Sequence, residues 1–393
     1  MKLFRTIILP ATMAALAWAA LSCSSGTGNR AIPPCEITAP LDSLFSTMFR
    51  PDEPGAIVGV VRNDSIVYLR GFGKASLAPS RPMTDSTMLN VCSIMKTFVA
   101  AAVTKLAEAG KLSLDDSVAE YFPQFEGHCF KEVKLRHILS HTTGLPDLRP
   151  RNPDQWDTYV KRHNSTFGEG SDYLLYGREE ELIRFYESVD SLLHNPGEGF
   201  HYQEPPFMLL SYVISQAAGM PFDQYMTDSI FSAAGLRNTA FFDPDTEFPN
   251  EAHGYAPIEG QPGKWAEYDY GEAEFFPTRA DRGLYTTAAD FIKWQKAFYC
   301  GKIISPENVA RTIAWQTGTR LPNIGYGYGI FVEKKPKMPY KAFHMSSNGG
   351  FSVFESVIPE AGIFYFVLSN RPDWSRLATG HKIDAVLRSK DWI

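Results

Sequence analysis

Two blocks rich in β-branched and aromatic residues lie near opposite ends of this 393-residue chain. The first, GAIVGVVRNDSIVYLRGFG (55–73), is a pair of strand-like runs around Asn63-Asp64, a typical hairpin turn. The second contains YGYGIFVEK, YKAFHMSS, FSVFESVIP and GIFYFVLSN (326–370), where PEAG (359–362) predicts a turn. Strands at both ends with helices between them predict one sheet assembled from both termini, beside a helical lobe.

The middle of the chain, about 112–300, is predicted to be mostly helical, with loops rich in Pro, Gly and Asn. One helix is predicted over 93–109, where Gly110 supplies the end. Its apolar residues recur at the 3.6-residue period of an α-helix: Met95, Phe98, Val99, Ala102, Val103 and Leu106. The stripe is wide and made of aliphatic and small side chains, so we predict a helix in the core. WSRLATGHKIDAVLRS (374–389) predicts a closing helix.

The composition fits a large globular chain. With 44% hydrophobic residues, it can bury the core of one large domain or of a two-lobed one. The formal charge is only −6, and no long basic run occurs. A nucleic-acid partner is therefore not expected.

The N-terminus resembles a secretion signal. Residues 1–22 have a positive start at Lys2 and Arg5, then an apolar run, then small residues. A membrane-spanning helix is the alternative, but the run is short and Pro10 interrupts it. We therefore expect an exported protein.

The sequence ALSC at the end of this segment resembles a bacterial lipoprotein cleavage box, although Ala20 stands where that box usually has leucine. Cys23 would then be the lipidated first residue of the mature protein. Residues 23–40 are interpreted as a flexible tether. The expected location is the periplasm, with a lipid anchor in a bacterial membrane.

The remaining cysteines give no metal or disulfide framework. No CxxC pair occurs among Cys35, Cys92, Cys129 and Cys300, and their spacings suit neither zinc nor dense cross-linking. One disulfide is compatible with export, and the sequence does not say which. The nine histidines are scattered and H-E-x-x-H is absent, so no metal site is predicted.

In the stretch NVCSIMKTF (90–98), the neighbours of Lys96 are unusual for a lysine on a helix. Lys96 has no acidic residue at the spacings of three and four that would pair with it on a helix. Ser93 precedes it by one helical turn, at the start of the helix, where the dipole and free N–H groups are close to its Oγ. Burial favours a neutral amine, and a neutral amine is a general base that can activate a serine nucleophile.

A serine and a lysine three residues apart also occur by chance in a chain of this length. Here, however, the pair is the only S-x-x-K, and it lies where a helix begins after a hairpin. S-x-x-K is the nucleophile motif of β-lactamases and penicillin-binding proteins.

Five further segments occur in the order of that family: LRHILSHTTGLPD (135–147), NPGEGFHYQEPPFMLLSYVI (195–214), RGLYTTAADFIKW (282–294), YGYGI (326–330) and FHMSSNGGFSVFESVIP (343–359). From about residue 41 to the C-terminus, the chain resembles the serine β-lactamase-like family, in the branch of class C β-lactamases, D-alanyl-D-alanine carboxypeptidases and esterases. The resemblance implies an α/β, β-lactamase/transpeptidase-like fold over 41–393. An antiparallel sheet lobe (about 41–110 and 300–393) would lie beside a mostly helical lobe (about 111–299).

The resemblance also implies roles for single residues. Ser93 attacks a carbonyl carbon, and Lys96 and Tyr202 share the proton transfers. His344 stands where the family has a lysine or a histidine, and it assists either the proton relay or the binding of the substrate. The oxyanion hole is formed by the backbone N–H groups of Ser93 and Ser347. No cofactor is implied.

This chain departs from the family at substrate-binding positions. Glu204 replaces an asparagine, and its carboxylate can either raise the pKa of Lys96 or hold a protonated Lys96 while Tyr202 acts as base. Met345 lacks a hydroxyl that relatives aim at a substrate carboxylate, which weakens the case for penicillins or D-Ala-D-Ala. Ser346 carries a β-carbon where glycine lets a substrate approach the strand closely.

Plain structural roles compete with these assignments. A tyrosine after a Pro-Gly loop is often a capping contact, and a lone strand histidine is often structural. His141 in LSHTTGLPD is predicted to cap or pack. No G-x-S-x-G elbow or complete dinucleotide fingerprint is present.

The sequence thus predicts an exported serine hydrolase that forms an acyl-enzyme on Ser93. Its substrate would be an ester, an amide or a small peptide, with cell-wall fragments among the candidates. The alternative is a non-catalytic relative that binds cell-wall peptide or a protein partner, and Glu204 and Ser346 motivate it.

Overall fold

The computed structural model describes most of the chain beyond the N-terminal segment. The described residues are 32–125, 129–146, 182–183, 186–243, 248–268, 280 and 283–393. The predicted signal peptide, Cys23 and the first part of the predicted tether lie outside them.

The longer helices, in chain order, are α1 (Thr38–Met48), α2 (Met95–Glu108), α3 (Leu135–Leu139), α4 (Pro205–Ala218), α5 (Ala288–Tyr299), α6 (Pro306–Thr312) and α7 (Arg376–Arg388). Shorter 3₁₀ turns are Cys92–Ile94, Val118–Glu120, Pro123–Phe125, Cys129–Glu132 and Pro359–Ala361. Phe222–Tyr225, Met226–Phe231 and Ser232–Ala234 form consecutive helical segments, the middle one a π-helix. Within these described residues, no helix combines the length and apolarity needed to cross a membrane.

The strands are β1 (Ala56–Arg62), β2 (Ser65–Phe72), β3 (Lys74–Leu77), β4 (Ser80–Pro82), β5 (Leu89–Asn90), β6 (Thr239–Phe241), β7 (Tyr255–Pro257), β8 (Trp265–Glu267), β9 (Leu284–Thr286), β10 (Thr317–Gly318), β11 (Ile324–Tyr326), β12 (Phe331–Glu333), β13 (Lys341–Asn348), β14 (Phe351–Ile358) and β15 (Ile363–Ser369).

One antiparallel sheet joins the two ends of the chain, and the predicted fold class is confirmed. Its eight strands run in the order β10-β11-β12-β13-β14-β15-β1-β2. The junction is the pairing of β1 with β15, from Ala56 opposite Ser369 to Arg62 opposite Ile363. β1 and β2 are joined by Asn63 and Asp64 at φ 45° and 64°. Two consecutive left-handed residues are what a type I′ hairpin requires, so the turn residues fix this hairpin.

The sheet is covered on both faces, so side chains on both sides of its central strands are buried. Every residue of β14 and β15 is buried. On one face, the core includes side chains of α1 and α7, among them Phe45 and Leu387. On the other, α2 packs into a larger core in which the Phe98 ring stacks on Trp294, with 3.7 Å between ring centres. α2 is buried nearly all round, as its wide apolar stripe predicts.

Two predictions of local structure need correction. The ordered fold begins before residue 41, because Ile37 is fully buried and α1 starts at Thr38, so the predicted tether is too long at its C-terminal end. The predicted strand over 326–334 is interrupted, since β11 ends at Tyr326 and β12 begins at Phe331. The middle of the chain also contains short strands, β6 to β9, in addition to its helices.

No disulfide joins the cysteines of the described residues, which are Cys35, Cys92, Cys129 and Cys300. The single disulfide that the sequence left open is therefore not formed among them.

Candidate active site

Ser93 lies on a tight turn immediately before α2. The turn is the 3₁₀ segment Cys92–Ile94, so the α-helix begins two residues later than the sequence predicts. Cys92 has φ 49°, in the left-handed region that non-glycine residues rarely adopt. Its N–H donates to Asn90 Oδ1 at 2.7 Å, which helps hold the turn. Backbone strain of this kind is common at functional sites, and here it precedes the candidate nucleophile.

Lys96 is directed at Ser93. Its Nζ lies 3.1 Å from Ser93 Oγ, a hydrogen-bond distance. Lys96 is fully buried, and Ser93 is 5% exposed. The Nζ also lies 5.3 Å from the centre of the Tyr202 ring and 5.6 Å from that of Phe207. A nucleophile within hydrogen-bond reach of a shielded amine is the arrangement that activation of a serine requires.

Tyr202 is placed by a loop that precedes α4, and His141 supports that loop. The His141 ring lies 4.3 Å from the Tyr202 ring, and its Nδ1 accepts a hydrogen bond from the Gln203 N–H at 3.2 Å. The His201 N–H donates to the His141 carbonyl at 2.9 Å. On another side, the ring of Tyr202 stacks on Phe331, with 5.9 Å between centres. His141 therefore has the structural role expected for it, and this role bears on the position of Tyr202.

His344 lies on β13, fully buried. Burial, followed by the positive charge of Lys96, lowers the pKa of its imidazole to about 3. Neither ring nitrogen has a hydrogen-bond partner among the described residues. His344 is thus a neutral imidazole near Lys96 at pH 7, so it cannot supply an imidazolium charge to a substrate.

Ser346 comes two residues after His344 on the same strand, so the two side chains share one face of the sheet. The Ser93 N–H donates to Ser346 Oγ at 3.2 Å. The side chain of the next residue, Ser347, donates to the Phe351 carbonyl at 3.0 Å. The role of the Ser347 N–H as a second oxyanion donor stays a prediction.

Glu204 directly precedes α4 and is half-buried, two residues after Tyr202. Its action on Lys96, and hence the choice between the two proton routes, stays a prediction. In the part of the chain that the structure describes, no group of three His, Cys, Asp or Glu side chains is arranged to hold a metal ion.

Glu355 is a functional candidate that sequence reasoning missed. It lies on β14 directly opposite His344 and is 1% exposed. Burial raises the pKa of its carboxyl to about 8, and Gln295 donates a hydrogen bond to it. A single acid in the apolar strand FSVFESVIP was the available signal, but only the strand register shows that it faces His344.

The YGYGI segment has a steric reason for its second glycine. Gly329 has φ 72°, and a β-carbon there would lie 2.5 Å from the Lys96 carbonyl oxygen. A glycine at this position therefore lets the β11–β12 connection pack against the helix that carries Lys96.

The fold and the Ser93–Lys96 pair together define the class of serine hydrolases that carry the S-x-x-K motif. The family model described as Beta-lactamase matches residues 41–388. The chain therefore belongs to the beta-lactamase family.

Relatives in sequence and in structure agree with this membership. Over 331 residues the chain is 24% identical to penicillin-binding protein 4* of Bacillus subtilis (strain 168), covering 81% of this chain and 68% of the relative. A structure described as a class C beta-lactamase superposes with a TM-score of 0.69 at 18% identity, covering 89% of this chain and 96% of its own. EstCE1, described as a hydrolase with promiscuous acyltransferase activity, superposes with a TM-score of 0.67 at 23% identity, covering 86% and 94%.

Proposed function

We propose that this protein is a serine hydrolase that forms an acyl-enzyme on Ser93 and cleaves an ester, an amide or a small peptide bond. The observation that supports it best is the 3.1 Å separation of Lys96 Nζ and Ser93 Oγ in a buried setting. Ser93 Oγ attacks the carbonyl carbon as its proton passes to the neighbouring base. Collapse of the tetrahedral intermediate expels the alcohol or amine, which takes up a proton, and water then hydrolyses the acyl ester.

Two groups can act as the base. A neutral Lys96 can take the Ser93 proton directly. Alternatively, a protonated Lys96 stabilises a phenolate on the neighbouring Tyr202, and the phenolate takes the proton. The closeness of the Lys96 Nζ to both the Ser93 hydroxyl and the Tyr202 ring is compatible with either route.

The proposal includes a location and a substrate source. Residues 1–22 support export, and Cys23 supports lipid anchoring in a bacterial membrane. The name of the Bacillus subtilis relative, a penicillin-binding protein, supports a cell-wall peptide or a similar small molecule as substrate. Cys23→Ala should abolish metabolic labelling of the protein with radioactive palmitate; labelling as strong as that of the wild type would argue against the anchor.

A second candidate is a non-catalytic binding module. It is favoured by the Ser346 hydroxyl, which already occupies the Ser93 N–H that an oxyanion would need. A binding module would give neither a burst of product equal to the enzyme present nor turnover with an activated aryl ester, whereas a hydrolase would give both.

Intact-mass spectrometry tests the hydrolase assignment. The wild type, Ser93→Ala and Ser65→Ala are each exposed to a serine-reactive phosphonate, an aryl ester and a penicillin. Ser65 is an exposed serine at the start of β2, so it serves as the matched control. We expect phosphonate adducts on the wild type and Ser65→Ala and none on Ser93→Ala. Labelling that survives Ser93→Ala would refute the assignment.

A further inference from the structure

A side-chain oxygen of the protein itself, Ser346 Oγ, accepts the hydrogen bond of the Ser93 backbone N–H, the amide of the candidate nucleophile. The distance from the Ser93 nitrogen to Ser346 Oγ is 3.2 Å. Donors of an oxyanion hole lie roughly 2.7–3.1 Å from the oxygen that they stabilise. The Ser346 hydroxyl therefore sits close to the place where the carbonyl oxygen of a substrate would bind.

The strand holds this side chain in position. β13 pairs with β14 along its length, with Ser346 opposite Val353 and Ser347 opposite Ser352. The hydrogen bond from Ser347 Oγ to the Phe351 carbonyl adds a second tie across this hairpin. Since the backbone is fixed, the hydroxyl can leave the Ser93 amide only by rotation to another χ1 rotamer.

The same face of β13 carries no cation. All residues of β13 are described, and the alternation of side chains places Ala342, His344, Ser346 and Asn348 on this face. His344 is neutral because burial lowers its pKa to about 3. The strand therefore presents no positive charge to the carboxylate of a substrate.

We propose that Ser346 is a specificity-determining residue that restricts Ser93 to esters with small, uncharged acyl groups. The inference rests on the proposed acyl-enzyme function. A substrate carbonyl must displace the Ser346 hydroxyl from the Ser93 amide. After rotation, the β-carbon still narrows the space along β13 that a peptide-like acyl group would use. An acetyl group needs no contact with the strand and is affected least.

The test compares Ser346→Ala, Ser346→Gly and Ser346→Thr with the wild type, using 4-nitrophenyl acetate and a penicillin. Ser65→Ala and Ser65→Gly make the same changes on β2, four strands away in the sheet. Freeing one amide from a neutral hydrogen bond should raise kcat/KM for the acetate ester by about 2- to 10-fold in Ser346→Ala. Ser346→Gly should also raise the rate of acylation by penicillin, by a larger factor than for acetate.

Ser346→Thr keeps the hydroxyl and adds a methyl group, so neither rate should rise. The Ser65 variants should match the wild type with both substrates. Thermal unfolding of each variant verifies that it is folded before rates are compared.

Two results would overturn the inference while leaving the hydrolase assignment intact. One is a folded Ser346→Ala with slower acetate hydrolysis, since the hydroxyl would then assist catalysis. The other is Ser346→Gly with equal changes for acetate and penicillin. Failure of the proposed function has a different signature: neither the wild type nor Ser346→Gly would be labelled at Ser93 by a phosphonate, and the inference would fall with it.

Discussion

At the scale of single residues, Lys96 departs most from ordinary protein composition. A fully buried lysine is costly unless its charge is compensated or absent. This one has a serine hydroxyl at 3.1 Å and aromatic rings beyond it. A position that costs stability and places an amine on a serine is explained more readily by chemistry than by packing.

Lys96→Met separates the two explanations, because methionine fills similar space without an amine. We expect kcat/KM for an aryl ester to fall by about 10²–10⁴-fold, as for loss of a general base. Stability should change little, since methionine fills similar space and the cost of burying an amine is lost together with its hydrogen bond to Ser93. Ester hydrolysis and thermal unfolding measure the two quantities.

Lys105→Met is the matched control on the same helix, where the Lys105 Nζ donates to the Ile303 carbonyl. It should keep the wild-type rate. If Lys96→Met also kept that rate, both proposed proton routes would be refuted, because each of them needs the Lys96 amine.

At the scale of elements, the β13–β14 pair brings two buried ionisable side chains together. It places His344 opposite Glu355, both buried, on the face of the sheet that packs against α2. The carboxyl receives a hydrogen bond from Gln295 of α5, and burial by the surrounding core raises its pKa to about 8. The folded protein therefore holds Glu355 protonated at neutral pH.

This carboxyl makes stability depend on pH. Its folded pKa of about 8 lies above the ordinary value of 4.5, so the folded state binds more protons between these values. The free energy of unfolding should then fall as the pH rises from 5 to 8. Glu355→Gln, which cannot ionise, should lose this dependence, so its stability relative to the wild type should grow over that range, by up to a few kcal/mol.

The groups that face Glu355 do not titrate in this window. The pKa of His344 is about 3, and burial, followed by the Glu355 charge, raises the pKa of Tyr299 well above 10. Denaturant unfolding at pH 5 and pH 8 measures the difference. A constant gap between variant and wild type would show that Glu355 is ionised or solvated in the folded protein.

At the scale of the whole molecule, the sequence predicted the features that depend on the residue pattern of a single short segment. The Asn63-Asp64 hairpin, the strand-like runs of β13 to β15 and the stripe of α2 are properties of short segments, and each forms within about two residues of its expected position. The proximity of Ser93 and Lys96 also follows from helical spacing.

What the sequence did not predict depends on long-range register. The contact between Ser93 and Ser346 joins residues 253 positions apart, and the facing of His344 and Glu355 depends on the alignment of two strands. The left-handed Cys92 is likewise set by its tertiary surroundings, because no local signal favours that conformation for cysteine.

The junction of the two chain ends gives a prediction for the whole fold. Gly59 of β1 lies directly opposite Phe366 of β15, and a β-carbon there would be 2.3 Å from the Phe366 ring. That ring is fully buried against Phe291 and Phe364, so it has little room to move. Gly59→Ala should therefore lower the free energy of unfolding by about 1–3 kcal/mol.

Gly318→Ala is the matched control. Gly318 lies on the edge strand β10, where a β-carbon meets only Trp315 at an ordinary 3.8 Å. It should change stability by no more than about 0.5 kcal/mol. Because β1 and the strand that carries Ser346 belong to one sheet, denaturant curves for Gly59→Ala should shift equally by tryptophan fluorescence and by loss of ester hydrolysis. If the activity curve stayed at the wild-type midpoint while fluorescence shifted, the site would be stable without the junction, and the two chain ends would unfold as separate units.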